Sequence, residues 1–563
     1  MFQWVTDACA GPWAEQLNCH FFYDDSASKL LRNGSNQSTT LRPIMNSVNP
    51  EPTNPSSGRL ASTGLLARNA TLNLVTEGWT FLVLIVAIPK LVFYLGETSF
   101  GLFSIAWVVV GYLAFLDIGV SSATTKFTSE YLAKHEKAQI GSLIRTALAA
   151  NSVMGVVAGA VALAISPLLI RYAFKIPGPM HNEAFSVFVG VAFALPVLLI
   201  QGVLRAALSS YQRFDWINLV NGSVISLQWV VMTLLAWRGL GVVTVVWAAV
   251  LARAVMVAFY LYLLGRLVPD IFAHFTFCWE TLWRLLRFGV WVSVSQVMSP
   301  ILVYLDRMMI AVLVSLQAVT IYTIPTEVFN RLGVLPSCLM ATLFPAFSHH
   351  GAFGTENGQM TRLFNFTTRY MLFVLFPFFA LLFVNAQDLL AVWMGPKFST
   401  EGTLVLQILA VGALVNLLAR LPYGAVQAVG RPDITGKIHL LELPIYVALC
   451  LFLIPRWGIE GAALACSVRL SLDAFLMFWA ASKYCHLRPK WIGETGRMLL
   501  IEALLLVCLF TVRHILHEAW ARLALGVVLL GAAYTAIWFF ALNGEDKPAI
   551  VRTIRFVRQE TGQ

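Results

Sequence analysis

Four charged residues, Asp306, Arg307, Glu327 and Arg331, stand inside two long apolar runs joined by a very short turn, between residues 285 and 348. A charge near the centre of a bilayer costs at least about 2.5–3.5 kcal/mol on insertion scales, so such groups face a protein interior or a wet cavity. This hairpin therefore predicts a polar route at membrane depth. The chemistry it suits is passage of an anion, which cannot enter apolar surroundings without cationic partners. Lys90, beside Pro89 in the first apolar run, Arg307 and Arg331 are the candidates for an anion-facing surface. Arg253 and Arg420, with Arg205, lie nearer the other helix ends and could guide such a group. A structural ion pair, or a side chain reaching for the interface, fits each of these residues as well.

Glu327 and Arg331 are four residues apart, as are Arg469 and Asp473. That spacing puts both members on one helix face. Such a bridge either fixes helix packing or opens when a ligand or proton arrives. Asp306 is a candidate proton or cation site, because desolvation moves a carboxyl towards the range where it exchanges protons. Asp117, two residues before Gly119, suits coupling or, as simply, capping and tight packing at a helix end.

The elements that must hold these residues follow from composition. The 563-residue chain is 58% hydrophobic and 12% charged, against about 25% charged for soluble domains, so it reads as an all-α polytopic membrane protein. Apolar runs of spanning length, about 20 residues each, number about fourteen, from 71–95 and 101–125 through 319–347 to 520–542. The net charge of +10 comes mostly from Lys and Arg in short loops, which points to topology and not to nucleic acid. Their bias places both termini in the cytoplasm. Residues 1–70, rich in Asn, Ser, Thr and Pro, read as a disordered tail, with Met45 a possible initiator, and residues 546–563 as a basic tail. The eight cysteines are scattered without metal-ligand or disulfide spacing.

An internal repeat organises the middle of the chain. Arg213-x-Asp215 and Arg431-x-Asp433 lie about 218 residues apart, Arg238 and Arg456 share that offset, and Arg253 and Arg469 nearly share it. The turn at 95–104 is similar to that at 313–323. Two units with an even helix count insert the same way round, so a parallel repeat follows. We expect six-helix lobes at 71–270 and 271–485, with two further helices at 486–545.

The run LVFYLGETSFGLFSIAWVVVGYLAFLDIGVSSATTKFTSEY, with Leu95-Gly96, Gly101-Leu102-Phe103 and Asp117-x-Gly119, resembles the first hairpin of Wzx-type polysaccharide transporters. These are lipid-linked oligosaccharide flippases of the multidrug/oligosaccharidyl-lipid/polysaccharide (MOP) exporter superfamily. YLDRMMIAVLVSLQAVTIYTIPTEVFNRL, ending in Pro345-x-Phe347-Ser348, resembles the matching hairpin of the second lobe. The resemblance covers about residues 71–485. It implies two lobes around a central cavity and alternating access that carries an anionic, undecaprenyl-type lipid-linked oligosaccharide across a bacterial inner membrane, with proton or cation coupling. The competing readings are a multidrug/cation antiporter, a peptidoglycan-precursor transporter and a membrane-embedded glycosyl-lipid enzyme. Sequence patterns for cofactor chemistry fail: Gly430 to Lys437 has five residues between its glycines, and Ile438 stands where a P-loop needs Ser or Thr. His349-His350 has no ligand-spaced partner, so neither cofactor nor metal is expected.

Overall fold

The computed structural model describes residues 55–117, 119–134, 136–174, 176–271, 277–332, 359–429, 431–487 and 496–541. The chain divides into two units, Met1–Leu65 and Leu66–Gln563, and the site lies in the second. Met45, His349-His350, Pro345 to Ser348 and both distal tails lie outside the described residues.

Every described element is helical, as apolar segments at membrane depth require, since only a helix satisfies its own backbone there. In order these are α1 (Pro55–Leu95), α2 (Glu97–Leu113), α3 (Val120–Ala133), α4 (Lys137–Leu168), α5 (His181–Ser210), α6 (Phe214–Trp237), α7 (Val242–Leu267) and α8 (Trp279–Leu313). Then follow α9 (Leu316–Leu332), α10 (Gln359–Val384), α11 (Ala386–Met394), α12 (Pro396–Ala428), α13 (Pro432–Tyr484), α14 (Gly496–Ile515) and α15 (Ala519–Ala536). Among the described residues ten helices are long and apolar enough to cross a membrane.

Three boundaries differ from expectation. Helix α1 is already formed at Pro55, inside the segment 1–70 expected as tail. Proline fits a first helical turn, and a polar composition does not prevent propagation from an adjoining apolar helix. The run expected at 101–125 breaks after Leu113, tightens over Ala114–Asp117 and resumes at Val120. Helix α13 carries two apolar runs, before and after Gly458. Gly458, at φ 57°, takes a conformation that side-chain-bearing residues rarely adopt, and the chain reverses there. A Cβ on Gly461 would lie 2.3 Å from the Leu453 carbonyl oxygen, which only a hairpin allows.

The repeat has a local structural counterpart. Arg213 pairs with Asp215 at 3.1 Å at the start of α6, and Arg431 with Asp433 at 3.0 Å at the start of α13. The matching helices α2 and α9 cross closely: a Cβ on Gly101 would sit 2.0 Å from the Leu316 carbonyl oxygen. Thr320 Oγ1 donates to the Glu97 carbonyl at 2.6 Å beside that crossing, and Lys397 pairs with the Glu97 carboxylate.

The core is distributed unevenly along the bundle. One apolar cluster takes in Leu91, Phe103, Phe174 and Phe188 from the helices before α8, and buried residues along α8 to α13. Helix α3 and the opposite ends of α4 to α7 form a separate cluster around Ile144, Leu204, Ile217 and Tyr260, which, among the described residues, only the start of α8 joins from the later helices, at Leu285. The earlier and later helices thus share one core at the end where α2 and α9 cross. Helices α14 and α15 pack on α10 through Leu505, Leu509 and Ala533, and on its other end through Met498 and Ile537. Arg522 pairs with Asp388 of α11, and Arg513 donates to the Val384 carbonyl.

Candidate functional site

A cavity of about 290 Å³ lies among α8, α9, α12 and both halves of α13, near the lower edge of ligand-pocket sizes, about 300–1,000 Å³. Its wall carries Asp306, Arg307, Arg420, His439, Arg469 and Asp473, and it extends to Gln427, Thr435 and Gly436 at the ends of α12 and α13. The apolar runs that drive these helices into a membrane present charged residues to this one hollow from α8, α12 and the second half of α13.

On α8, Asp306 and Arg307 are both buried, at 3% and 5% exposure. Asp306 is fully engaged: Oδ2 accepts from the Tyr322 hydroxyl at 2.6 Å, and Oδ1 from the Arg307 backbone N–H at 2.7 Å. Arg307 reaches α9, where Nη2 lies 3.0 Å from Glu327 Oε1 and 2.9 Å from Thr326 Oγ1. The spacing predicts a Glu327–Arg331 bridge, but Glu327 pairs with Arg307. A partner on the neighbouring helix closes a contact that fixes packing as well as charge. Arg331 lies in the last turn of α9, and its side chain is outside the described residues.

The α13 hairpin supplies the second half of the site. Arg469, 9% exposed, does not bridge to Asp473: its Nη1 lies 3.8 Å from Glu442 Oε2, across the hairpin, and its guanidinium lies over the Tyr446 ring at 5.1 Å. Asp473 Oδ2 accepts from Asn416 Nδ2 at 2.9 Å, and Oδ1 faces His439 Nε2 at 3.8 Å. The His439 ring stacks on Tyr423. Glu442 is fully buried, and neither of its oxygens has a hydrogen-bond donor. Arg420 is exposed to the cavity and makes no hydrogen bond or ion pair among the described residues.

The sequence expectations are thus partly gathered here. Asp306, Arg307, Arg420, Arg469 and Asp473 share the cavity wall, and Glu327 stands one contact behind it. Lys90 is exposed on α1, outside the cavity lining. Arg253 of α7 is also away from the cavity, its Nε buried without a partner, near Arg205 and Tyr260. Asp117 accepts from the Ser121 N–H at 3.3 Å, the Ser121 hydroxyl at 3.0 Å and the Asn151 amide. That set anchors the start of α3 to α4, the capping alternative.

Sequence reasoning missed Glu442, His439, Asn416 and Tyr322. A signal existed for two of them, since His439, Glu442 and Tyr446 fall at three- and four-residue spacing in an apolar run and so on one helix face. The charge balance also differs from a purely cationic lining. Among the described residues, Arg307, Arg420 and Arg469 face Asp306, Glu327, Glu442 and Asp473. Arg420 is the cation there with no acid of its own.

A bundle of apolar helices around a charged internal hollow defines an integral membrane transporter fold. Solved structures share it: the lipid II flippase MurJ in an inward closed conformation aligns with a TM-score of 0.65 at 11% identity, covering 83% of this chain and 99% of that one. An inward-facing multidrug resistance MATE family transporter of the MOP superfamily aligns at 0.61 and 16%, over 75% and 99%. The chain belongs to the Polysaccharide biosynthesis protein family, which matches residues 66–350. A putative O-antigen transporter of Shigella flexneri is 28% identical over 415 residues, 71% of this chain and 94% of the relative. A probable flippase, AglR, of Haloferax volcanii is 24% identical over 431 residues, 74% and 83%.

Proposed function

We propose that this protein moves an anionic lipid-linked oligosaccharide from the cytoplasmic to the periplasmic leaflet of a bacterial inner membrane. The observation that carries the reading is Arg420, a guanidinium with no ion pair or hydrogen bond among the described residues, on the wall of a membrane-depth cavity that also holds Arg307 and Arg469. A lipid (pyro)phosphate needs such partners to leave water, and arginine forks match phosphate oxygens in bidentate geometry. The family membership and the names of the O-antigen transporter and flippase relatives support the same substrate class.

Residues 71–270 and 271–485 act as two lobes that rock against each other, with the pair at 486–545 fixed to the second through Asp388 and Arg522. The shared core and the Gly101–Leu316 crossing hold the lobes together at one end. The bias of basic residues towards the loops of the opposite end makes that end cytoplasmic in this reading, so a headgroup enters from there. Arg307 and Arg469 bind after releasing Glu327 and Glu442. Lys90 and Arg253 meet the substrate only outside the cavity, on entry or exit. Asp306, Asp117 and Asp473 hold helices in register while the bridges exchange, and a proton or cation drives the cycle.

Reconstitution tests this reading directly. Purified full-length protein in liposomes carrying a fluorescent polyprenyl-diphosphate oligosaccharide in the inner leaflet should expose the label to an external quencher. Labelled lipid that stays protected, in liposomes where the protein is correctly inserted, refutes the assignment.

A further inference from the structure

We propose that Trp393 is a latch between the two lobes at the end opposite headgroup entry, donating to a backbone carbonyl that Pro89 leaves without a helical partner. The inference rests on the two-lobe transport reading above and adds a contact that parts during its cycle. The indole Nε1–H of Trp393, on α11, donates to the Ile85 carbonyl of α1 at 2.6 Å. In a helix that carbonyl accepts from the N–H four residues on, at position 89, and proline has no N–H to give. The proline ring also crowds the same oxygen. At membrane depth such an oxygen must be satisfied by a neighbouring helix or by water. Trp393 satisfies it while the lobes are together, and its ring packs against the shared core, to which Leu84, Ile88 and Leu91 of α1 belong.

The latch stands at a corner of the second lobe that holds two helices of the first. Helix α11 ends at Gly395, whose φ of 96° turns the chain into α12. Four residues after Trp393, Lys397 pairs with the Glu97 carboxylate at the start of α2. The Glu97 backbone carbonyl in turn accepts from Thr320 of α9, beside the Gly101–Leu316 crossing. The corner thus holds α1 through an indole and α2 through an ammonium.

The two ties differ in what opening asks of them. Lys397 is 48% exposed, so its pair with Glu97 yields to water readily. Trp393 and Ile85 are half-buried, and water must replace their bond for this end to part. A bond from a side chain to a proline-orphaned carbonyl breaks without unwinding α1, unlike a bond of the helix itself. Water in the parted gap then takes the place of the indole. Both states are satisfied, and they differ by the modest net contribution of one hydrogen bond, which suits a contact made and broken in every cycle.

The test is hydrogen–deuterium exchange of the full-length protein in nanodiscs, read by mass spectrometry, for wild type, Trp393→Phe, Pro89→Ala and the double variant. Phenylalanine keeps a ring and removes the donor. Alanine restores the N–H at position 89, so α1 takes the Ile85 carbonyl back. Each single variant should speed exchange at the α2–α9 crossing, residues 97–105 and 316–323, roughly two- to tenfold, as loss of one net hydrogen bond does. Each should slow exchange at 420–428, the other end of α12, because one end opens as the other closes. The double variant should match the singles, since all three lack the same bond. Pro89→Ala strengthens α1, so its effect at the crossing does not come from unfolding, and it decides the matter if Trp393→Phe fails to fold. Faster exchange confined to 386–401, unchanged exchange at the crossing, or additive effects in the double variant overturn the latch. No lipid-linked substrate is present in this experiment, so failure of the liposome assay overturns the transported lipid and not the latch.

Discussion

Replacing Arg420 by Gln separates binding from folding more cleanly than any other change in the cavity. Its guanidinium faces the hollow without a hydrogen bond or ion pair among the described residues. Removing it thus breaks no internal contact, and stability should move by no more than about 0.5 kcal/mol, as for exposed substitutions generally. Against that, a hydrogen bond to a charged partner contributes about 1.5–3 kcal/mol. At about 1.4 kcal/mol per factor of ten, the variant should bind a phosphate-bearing headgroup ten- to a hundred-fold more weakly. Arg307 makes the contrast. It is 5% exposed and holds Glu327 and Thr326, so Arg307→Gln should also lower stability, by about 1–3 kcal/mol. The loss stays below that of a fully buried pair because the Glu327 side chain is 32% exposed and retains access to water. The assay is complementation of a strain lacking its own transporter at limiting expression, reading surface glycan by gel, membrane level by blot and melting temperature on purified protein. Arg420→Gln should give strongly reduced glycan at wild-type membrane level and melting temperature. Wild-type glycan under those conditions refutes the assignment of Arg420 to the anion.

Other outcomes follow from single contacts. Gly101→Ala places a Cβ 2.0 Å from the Leu316 carbonyl oxygen; backbone must move, at about 1–3 kcal/mol, so melting temperature and glycan should both fall, and unchanged melting would refute the close α2–α9 crossing. Tyr322→Phe strips Asp306 Oδ2 of its donor, a loss of about 1–3 kcal/mol for a buried acceptor, measurable by thermal unfolding; no shift would show that water replaces the hydroxyl. Arg522→Ala leaves Asp388, 3% exposed, without its guanidinium. Stranding a buried charge costs about 3–5 kcal/mol, so proteolysis should detach the α14–α15 pair far sooner than in wild type, and an unchanged digestion pattern would show that the pair is held by apolar packing alone.

Much of this protein was legible in its sequence because a bilayer leaves the chain few choices. Apolar runs of spanning length must be helices, since nothing else satisfies the backbone there, and charges placed inside them must gather at a polar interior. Residues 306, 307, 327, 420, 469 and 473 were legible in that way, and the two Arg-x-Asp motifs form the same local pair. What the sequence could not decide was who pairs with whom. Spacing along one helix offers Glu327–Arg331 and Arg469–Asp473, but packing brings Arg307 to Glu327 from another helix and Glu442 to Arg469 across the Gly458 reversal. It also leaves Lys90 exposed on α1, outside the cavity lining, and uses Asp117 as an anchor for α3. Ion pairs form between side chains that are close in space, and in a helical bundle that closeness is set by where one helix crosses another, a property no local pattern contains.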